Sequence, residues 1–326
     1  MFVSNGIGID LGTTSVLIYE EKREVILNEP SIIAVEKNSK KVLAVGHKAK
    51  RMVGRAPGNI SIIKPLKQGA IYDYDLTEIM LKKFIYKAIG KRVIKPKVVI
   101  CVPSGVTNVE KRAVENAAKH AGARKVKILT KPVAAALGAH LDINHPFGNM
   151  IVDIGGGTSD IAVVSLGNEV VHNSLRLAGD DFDQAIINYI RKKYNLIIGE
   201  STAERIKITI GGAIKRPKTK SILVGGKSFV SGLPKQITIN SDELTEGLNN
   251  IVEATIAAIY KVVEITPPEL IADVMTQGIV LTGGGSLLYG LDKLIEKRLG
   301  IATRVAENPQ TCVAVGTGIY ATYAFE

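Results

Sequence analysis

The residues best suited to chemistry lie in two similar turns, one near the start of the chain and one near its middle. The turns are Gly8-Ile9-Asp10-Leu11-Gly12-Thr13-Thr14-Ser15 and Val152-Asp153-Ile154-Gly155-Gly156-Gly157-Thr158-Ser159-Asp160. Each leads from an apolar strand through an acidic residue, glycines and hydroxyl residues into a second apolar run. Glycine lets a ligand approach the backbone closely, and a turn that exposes several N–H groups attracts anions. The pattern therefore predicts that Thr13, Thr14 and Thr158 lie where a phosphate would bind, between the two glycine turns.

Asp10 and Asp153 occupy equivalent positions in this weak internal repeat. Because each ends a strand just before the glycines, we expect both carboxylates to point into one cleft. Two carboxylates suit a hydrated Mg²⁺, which keeps most of its water ligands. A single aspartate at such a position is as readily explained by turn formation, but the paired occurrence favours a metal site.

A third glycine-rich turn, Gly283-Gly284-Gly285-Ser286, follows the apolar run 279–282. A helix that begins after such a turn presents backbone N–H groups to an anion. One glycine-rich turn is weak evidence of a ligand, whereas three, each after an apolar strand, predict a nucleotide.

Similar elements follow each of the two hairpins, so we expect a βββαβα unit that occurs twice. After the first hairpin we expect a third strand at either 25–27 or 32–35, a helix at 75–89, a strand at 98–102 and a helix at 108–120 that opens with a capping box of Thr107 and Glu110. After the second we expect a strand at 169–173, a helix at 181–194, a strand at 278–282 and a helix at 287–298, with inserted helices at 202–210 and 242–264. The fold class is thus α/β, and two facing units would leave a cleft suited to a nucleotide.

Composition excludes several other classes of protein. The 326 residues are 46% hydrophobic, which excludes a disordered chain, and no apolar run approaches the ~18 residues of a membrane span. Two cysteines exclude a disulfide scaffold. A formal charge of +11 favours anionic partners, but we find no nucleic-acid recognition motif and expect no nucleic-acid partner.

These motifs, taken in order, resemble the MreB family of bacterial actins, within the superfamily of actin, heat-shock chaperone ATPases and sugar kinases. Besides the two hairpins, the matching pieces are Pro103-Ser104-Gly105-Val106-Thr107, Pro132-Val133-Ala134-Ala135-Ala136-Leu137-Gly138, Gly179-Asp180-Asp181-Phe182-Asp183, Thr202-Ala203-Glu204-Arg205-Ile206-Lys207 and the stretch 281–286. The resemblance covers residues 6 to about 320. It implies an actin-like ATPase fold, with domain I at 1–141 plus 306–326 (insert about 32–75) and domain II at 142–305 (insert about 177–240).

The resemblance also implies roles for individual residues around ATP or ADP. Asp10 and Asp153 would hold Mg²⁺ through water, the two glycine hairpins would bracket the phosphates, and Thr158 would help to place the attacking water. Glu204 and Lys207 would contact the ribose and adenine, with Gly283, Gly284 and Gly285 on the opposite side. Taken alone, Glu204 and Lys207 lie three residues apart on a helix, and this spacing indicates a solvated ion pair.

The sequence departs from the family at a catalytic position. The family has a glutamate just before the Pro-x-Ala-Ala-Ala stretch, where it positions the water that attacks the γ-phosphate, and this chain has Lys131. An ammonium has three donors and no acceptor, so we expect Mg-ATP binding with slow hydrolysis. The alternative is that Lys131 turns out to solvent and a neighbour such as Thr130 holds the water.

A basic stretch between residues 82 and 97 contains the apolar pair Val93-Ile94. MreB-like proteins have a hydrophobic loop at this place that touches the membrane, so the resemblance implies peripheral binding to anionic lipid. The alternative is a solvated helix face followed by a strand. Two other basic clusters, at 37–55 and 215–220, are either polymer contacts or soluble loops, and the sequence does not choose between them.

The resemblance as a whole implies a cytoplasmic filament-forming protein at the inner face of the membrane, which governs cell shape or wall synthesis. Its implied partners are other copies of itself, anionic lipid, and MreB paralogues or wall-machinery proteins. A non-hydrolysing, nucleotide-stabilised scaffold and a small-molecule kinase of the same superfamily remain as alternatives, although no motif provides the carboxylate base that a kinase needs.

Overall fold

The computed structural model describes residues 6–21, 23–91 and 94–325. The strands are β1 (Ile7–Leu11), β2 (Ser15–Glu20), β3 (Glu24–Pro30), β4 (Ile33–Glu36), β5 (Val42–Val45), β6 (Ile60–Ile63), β7 (Leu66–Lys67), β8 (Ala70–Ile71), β9 (Lys97–Val102), β10 (Lys125–Thr130), β11 (Asn149–Ile154), β12 (Ser159–Ser165), β13 (Asn168–Leu175), β14 (Leu196–Ile197), β15 (Ser221–Ser228), β16 (Pro234–Asn240), β17 (Ile279–Thr282) and β18 (Thr303–Val305). The helices are α1 (His47–Lys50), α2 (Tyr74–Ile89), α3 (Asn108–His120), α4 (Lys131–Gly138), α5 (Gly179–Tyr194), α6 (Glu200–Ile210), α7 (Ser241–Ile265), α8 (Pro268–Gln277), α9 (Leu291–Leu299) and α10 (Cys312–Tyr323), with a 3₁₀ turn at Gly284–Leu287.

Two five-stranded sheets with the same arrangement form the core, which confirms the predicted duplication. The strand orders are β3-β2-β1-β9-β10 and β13-β12-β11-β17-β18. In each sheet the first strand runs antiparallel to its hairpin partner and parallel to the strand on its other side. Strands β10 and β18 are additions to the predicted units: β10 has exposed lysines at Lys125 and Lys127, and β18 is only three residues long, so neither has a clear apolar pattern.

The predicted helices and strands agree with the structure to within two residues, with two exceptions. The third strand of the first unit, β3, ends at Pro30, three residues beyond the expected 25–27, and the other expected position, 32–35, is the separate strand β4. The helix expected at 287–298 begins only at Leu291, because the preceding segment forms the 3₁₀ turn and Gly290 adopts φ 71°. That left-handed conformation interrupts a helix and is accessible mainly to glycine. The capping box predicted at the start of α3 is present, since Thr107 and Glu110 bond each other's backbone N–H groups.

Helices α4 and α10 cross where the two units meet. Each follows the edge strand of one sheet and contacts the other sheet: α4 reaches β11 and β12, and α10 reaches β1 and β9. A Cβ on Gly138 would lie 1.8 Å from the Cys312 carbonyl oxygen, and one on Gly316 would lie 1.8 Å from that of Ala134. The helix backbones therefore touch at glycines on both sides, and this crossing fixes the first turn of α4.

The inserts lie on either side of the cleft mouth. The first contains the sheet β5-β4-β6 and helix α1, and the second contains the sheet β14-β15-β16 with α6. Separate apolar clusters fill the two units, and a further cluster that includes Val99, Ala134, Ile151 and Val313 joins them. The units and their inserts thus enclose one cleft.

Candidate functional site

The two glycine hairpins face each other at closest approach. A Cβ on Gly156 would lie 1.7 Å from the Thr14 Oγ1, and a Cβ on Gly157 would lie 2.6 Å from the Thr13 Oγ1. Only glycine fits at such a separation. The Thr14 hydroxyl also donates to Asp180 across the cleft, at 3.4 Å.

A cavity of about 450 Å³ opens beside the hairpins and brings all the predicted cleft residues together. Its lining includes Asp10, Gly12, Thr13, Thr14, Lys131, Asp153, Gly155, Gly156, Gly157, Thr158, Glu204, Lys207, Gly283, Gly284 and Gly285. Residues from the two hairpins, α4, α6 and the 3₁₀ turn thus share one site, although they are distant in sequence. A cavity lined by backbone N–H groups, hydroxyls and lysines suits a phosphorylated ligand.

Asp153 is buried and has a hydroxyl partner. The Thr282 hydroxyl, on the neighbouring strand β17, donates to Asp153 Oδ1 at 3.0 Å. Burial raises the pKa of Asp153 to about 7, the nearby carboxylates of Asp160 and Asp10 add to this, and the Lys131 ammonium opposes it. Its surroundings therefore favour the neutral form of the carboxyl more than water does.

Asp10 has a different partner. Its Oδ1 accepts no hydrogen bond from the described part of the chain, and the Lys131 ammonium lies 3.7 Å from it. Burial alone would lower the pKa of Lys131, but the carboxylates of Asp10, Asp153 and Asp160 raise it well above its ordinary value. Lys131 is thus a buried, protonated ammonium inside the cleft, and the alternative that it turns out to solvent is wrong.

Thr158 is oriented by a carboxylate that the sequence analysis did not assign. Its hydroxyl donates to Asp160 Oδ2 at 3.0 Å, and the other oxygen of Asp160 accepts from the Ser104 N–H and the Ser174 hydroxyl. Because the Thr158 hydroxyl is the donor in this bond, its oxygen can still accept a hydrogen bond from a group in the cleft. This geometry is compatible with its predicted role toward water.

Glu204 and Lys207 do not pair with each other, so the alternative interpretation of a shared ion pair does not hold. The Glu204 carboxylate lies 3.2 Å from the Lys50 ammonium of the facing insert. Lys207 lies 2.9 Å from Asp183 and donates to the Gly179 carbonyl oxygen at 2.8 Å. Both side chains point toward the cleft because they share one face of α6.

A second ion pair spans the cleft mouth. The Lys64 ammonium lies 3.3 Å from Asp180 and 3.4 Å from Glu200. Burial alone would lower the pKa of Lys64, and the two carboxylates more than reverse this. With Lys50 and Glu204, these contacts hold the two inserts together over the cavity.

The sequence analysis missed several residues of the site. Asp180 and Asp183 lie inside a stretch that was matched to the family, and Thr282 directly precedes a glycine turn, so each carried a signal. No sequence pattern marks Lys50 or Lys64 as a site residue, since their partners lie more than a hundred residues away. Arg216, from the basic cluster at 215–220, stacks on the Tyr289 ring beside the cavity, whereas the lysines of that cluster lie exposed in the loop between α6 and β15.

The cleft does not fit a Mg²⁺ ion held between Asp10 and Asp153. The carboxylates are suitable donors, but the Lys131 ammonium already lies against Asp10, and a fixed positive charge repels a divalent cation at this range.

The predicted membrane loop lies only partly within the described residues. Val93 lies outside them, and Ile94, between α2 and β9, is half exposed. Among the helices that the structure describes, none combines the length and apolar character needed to cross a bilayer.

Two duplicated α/β units around a cleft lined by acidic glycine hairpins define the actin-like fold class, which was expected from the sequence. The chain belongs to the MreB/Mbl family, because the family model described as "MreB/Mbl protein" matches residues 4–325. It is 50% identical over 314 residues to the cell shape-determining protein Mbl of Bacillus subtilis, covering 96% of this chain and 94% of that protein. It is 46% identical over 321 residues to the cell shape-determining protein MreB of Escherichia coli, covering 97% and 92%.

Solved structures agree with this assignment. MreB5 of Spiroplasma citri, determined with ADP and with AMPPNP, superposes with a TM-score of 0.93 at 38% identity, covering 98% of this chain and 96% of that one. A MamK double helical filament matches with a TM-score of 0.81 at 22% identity, covering 97% and 98%, and supports the fold alone. The predicted fold class and family are therefore confirmed.

Proposed function

We propose that this chain is an MreB-type bacterial actin that binds ATP or ADP in the cleft and polymerises into filaments that govern cell shape or wall synthesis. The observation that carries the proposal is the direct apposition of the two glycine hairpins beside one cavity. The nucleotide-bound structures of a 38% identical relative support the choice of adenine nucleotide. The predicted Mg²⁺ at Asp10 and Asp153 stays a prediction, and the position of Lys131 argues against it.

Hydrolysis of ATP by this site is slow. Lys131 is buried beside Asp10 and has no acceptor with which to position water, and the loss of a positioned base commonly costs ~10²–10⁴ in rate. Phosphate release from the wild type and from the Lys131→Glu variant tests this, and the variant should be faster. Equal rates would show that residue 131 does not limit the reaction.

Polymerisation is tested by electron microscopy of the purified protein with ATP, with a non-hydrolysable analogue, and without nucleotide. We expect filaments with both nucleotides, because slow turnover makes the two nearly equivalent, and no filaments without nucleotide. Absence of filaments in every condition would reject the polymer. ATP filaments that release no phosphate on prolonged incubation favour the second candidate, a non-hydrolysing scaffold that works beside other MreB paralogues, for which the buried Lys131 is the specific observation.

We further propose that the filament lies in the cytoplasm at the inner face of the membrane. The support is the basic stretch on α2 and the loop after it, where Lys82, Lys83, Lys91 and Lys95 are exposed and Ile94 is half exposed. Each basic residue near an anionic leaflet adds ~1 kcal/mol of binding. Co-sedimentation with anionic liposomes should fall when Val93 and Ile94 are both changed to Asp, and unchanged binding would exclude the loop.

A further inference from the structure

The buried carboxylates around the predicted metal site are satisfied to different degrees. Asp160 accepts three hydrogen bonds from protein groups and Asp153 accepts one. Asp10 Oδ1 accepts none from the described residues, although Asp10 is only 9% exposed. A buried carboxylate needs a compensating partner, and the cation nearest to it in the structure is the Lys131 ammonium.

The Lys131 ammonium is held in place and shielded from water. The Lys131 side chain is 8% exposed and that of Asp10 is 12% exposed, so the charges interact far more strongly than a surface pair. Lys131 is the first residue of α4 and is followed by Pro132, which suits the first turn of a helix. The crossing of α4 with α10 fixes the backbone of this turn, since Gly316 of α10 touches the Ala134 carbonyl.

We propose that the Lys131 ammonium takes the place of a divalent metal ion in the cleft, so that this chain binds ATP without requiring Mg²⁺. The inference rests on the proposed nucleotide function. The ammonium neutralises Asp10 and, with three N–H donors, keeps donors for a phosphate oxygen brought between the hairpins. A divalent ion placed between Asp10 and Asp153 would instead face this fixed positive charge.

The test is calorimetric titration of the nucleotide-free protein with ATP, at constant ionic strength, in Mg²⁺ and in EDTA. We expect the two dissociation constants to agree within about threefold. A loss of about tenfold or more in EDTA would overturn the inference while leaving the nucleotide function standing. No binding in either condition would overturn the nucleotide function itself.

The Lys131→Met variant removes the charge and keeps a long side chain. Its ATP affinity should fall by about tenfold or more in EDTA and recover in Mg²⁺, because the carboxylates then need an added cation. The matched control is Lys261→Met, which removes the same charge from the exposed surface of α7, away from the cavity, and should keep the ratio of ATP affinities in Mg²⁺ and in EDTA near one. If the ratio of ATP affinities in Mg²⁺ and in EDTA were the same for Lys131→Met as for the wild type, the ammonium would not be what makes Mg²⁺ dispensable.

Direct metal binding gives a readout that does not depend on the nucleotide. Mn²⁺ titration followed by electron paramagnetic resonance should show no tight site in the nucleotide-free wild type and one site in Lys131→Met. Circular dichroism melting establishes that the variant is folded, and if it is not, the wild-type titration alone decides. A tight Mn²⁺ site in the wild type would overturn the inference.

Discussion

The two hairpins have the same backbone and different electrostatics. In the second unit Asp153 is paired across the sheet with Thr282, whose hydroxyl bonds the carboxylate. In the first unit the residue paired with Asp10 is Cys101, and its thiol contacts Thr317 instead, at 2.8 Å. Asp10 therefore lacks the neighbour that Asp153 has and faces an ammonium from α4.

The difference arises just outside the duplicated strands. In the first unit, α4 begins directly after β10, which places Lys131 at the end of the sheet beside Asp10. In the second unit, residues 306–311 separate β18 from α10, and no lysine or arginine occurs in that segment. The duplication thus conserves the strand register, while the charge at each aspartate depends on the connection that follows the sheet.

The largest expected effect comes from breaking the contact between the hairpins. In Gly156→Ala the added methyl would lie 1.7 Å from the Thr14 Oγ1, so the hairpins must separate. Overpacking of this kind costs about 1–3 kcal/mol, so we expect ATP affinity to fall on the order of ten- to hundredfold in calorimetry. Gly58→Ala is the control, because no atom lies within 4 Å of its added Cβ. Equal affinities for the two variants would mean that the apposition has no role in binding.

An intermediate effect should separate the two aspartates. Thr282→Val keeps the shape of the side chain and removes the hydrogen bond to Asp153. A buried carboxylate left without its donor costs about 1–3 kcal/mol, so the melting temperature should drop by several degrees, whereas Thr282→Ser should retain most of the stability.

The equivalent change in the first unit is Cys101→Val. We expect a smaller drop in melting temperature than for Thr282→Val, because the thiol is a weak donor and contacts Thr317 rather than Asp10. A drop in melting temperature as large as that of Thr282→Val would show that Asp10 depends on its neighbouring strand as much as Asp153 does.

The smallest expected effect is a pH dependence of the melting temperature that comes from Asp183, on the second-unit side of the cleft. Burial raises the pKa of Asp183 to about 6, against the opposing effect of Lys207. An acid with a raised folded-state pKa favours the fold most below its unfolded pKa, and this contribution is lost as pH rises through about 6. The melting temperature of the wild type relative to Asp183→Asn should therefore fall between pH 4 and pH 7. A difference that stays constant over this range would contradict the raised pKa.

Features encoded locally were predictable from the sequence. The hairpin motifs around Asp10 and Asp153, the capping box of Thr107 and Glu110, and the length of α7 each depend on neighbouring residues, so pattern and spacing identify them. Lys131 stood out because the family motif that directly follows it, at 132–138, is intact.

Features that depend on distant contacts were not predictable. The pairs Lys50–Glu204 and Lys64–Asp180 join residues from opposite inserts, and nothing near either lysine indicates its partner. The sequence shows that Lys131 is a lysine, but only the packing of α4 shows that its ammonium faces Asp10. Edge strands β10 and β18 are too polar or too short to produce a pattern, since their pairing depends on the sheet beside them.

A crystal structure of this protein with AMPPNP tests the central claim most directly. The phosphates should lie between the turn of Gly12, Thr13 and Thr14 and the turn of Gly155, Gly156 and Gly157, with the Lys131 ammonium within hydrogen-bond distance of a phosphate oxygen. A nucleotide bound elsewhere, or phosphates that leave both hairpins untouched, would contradict the account.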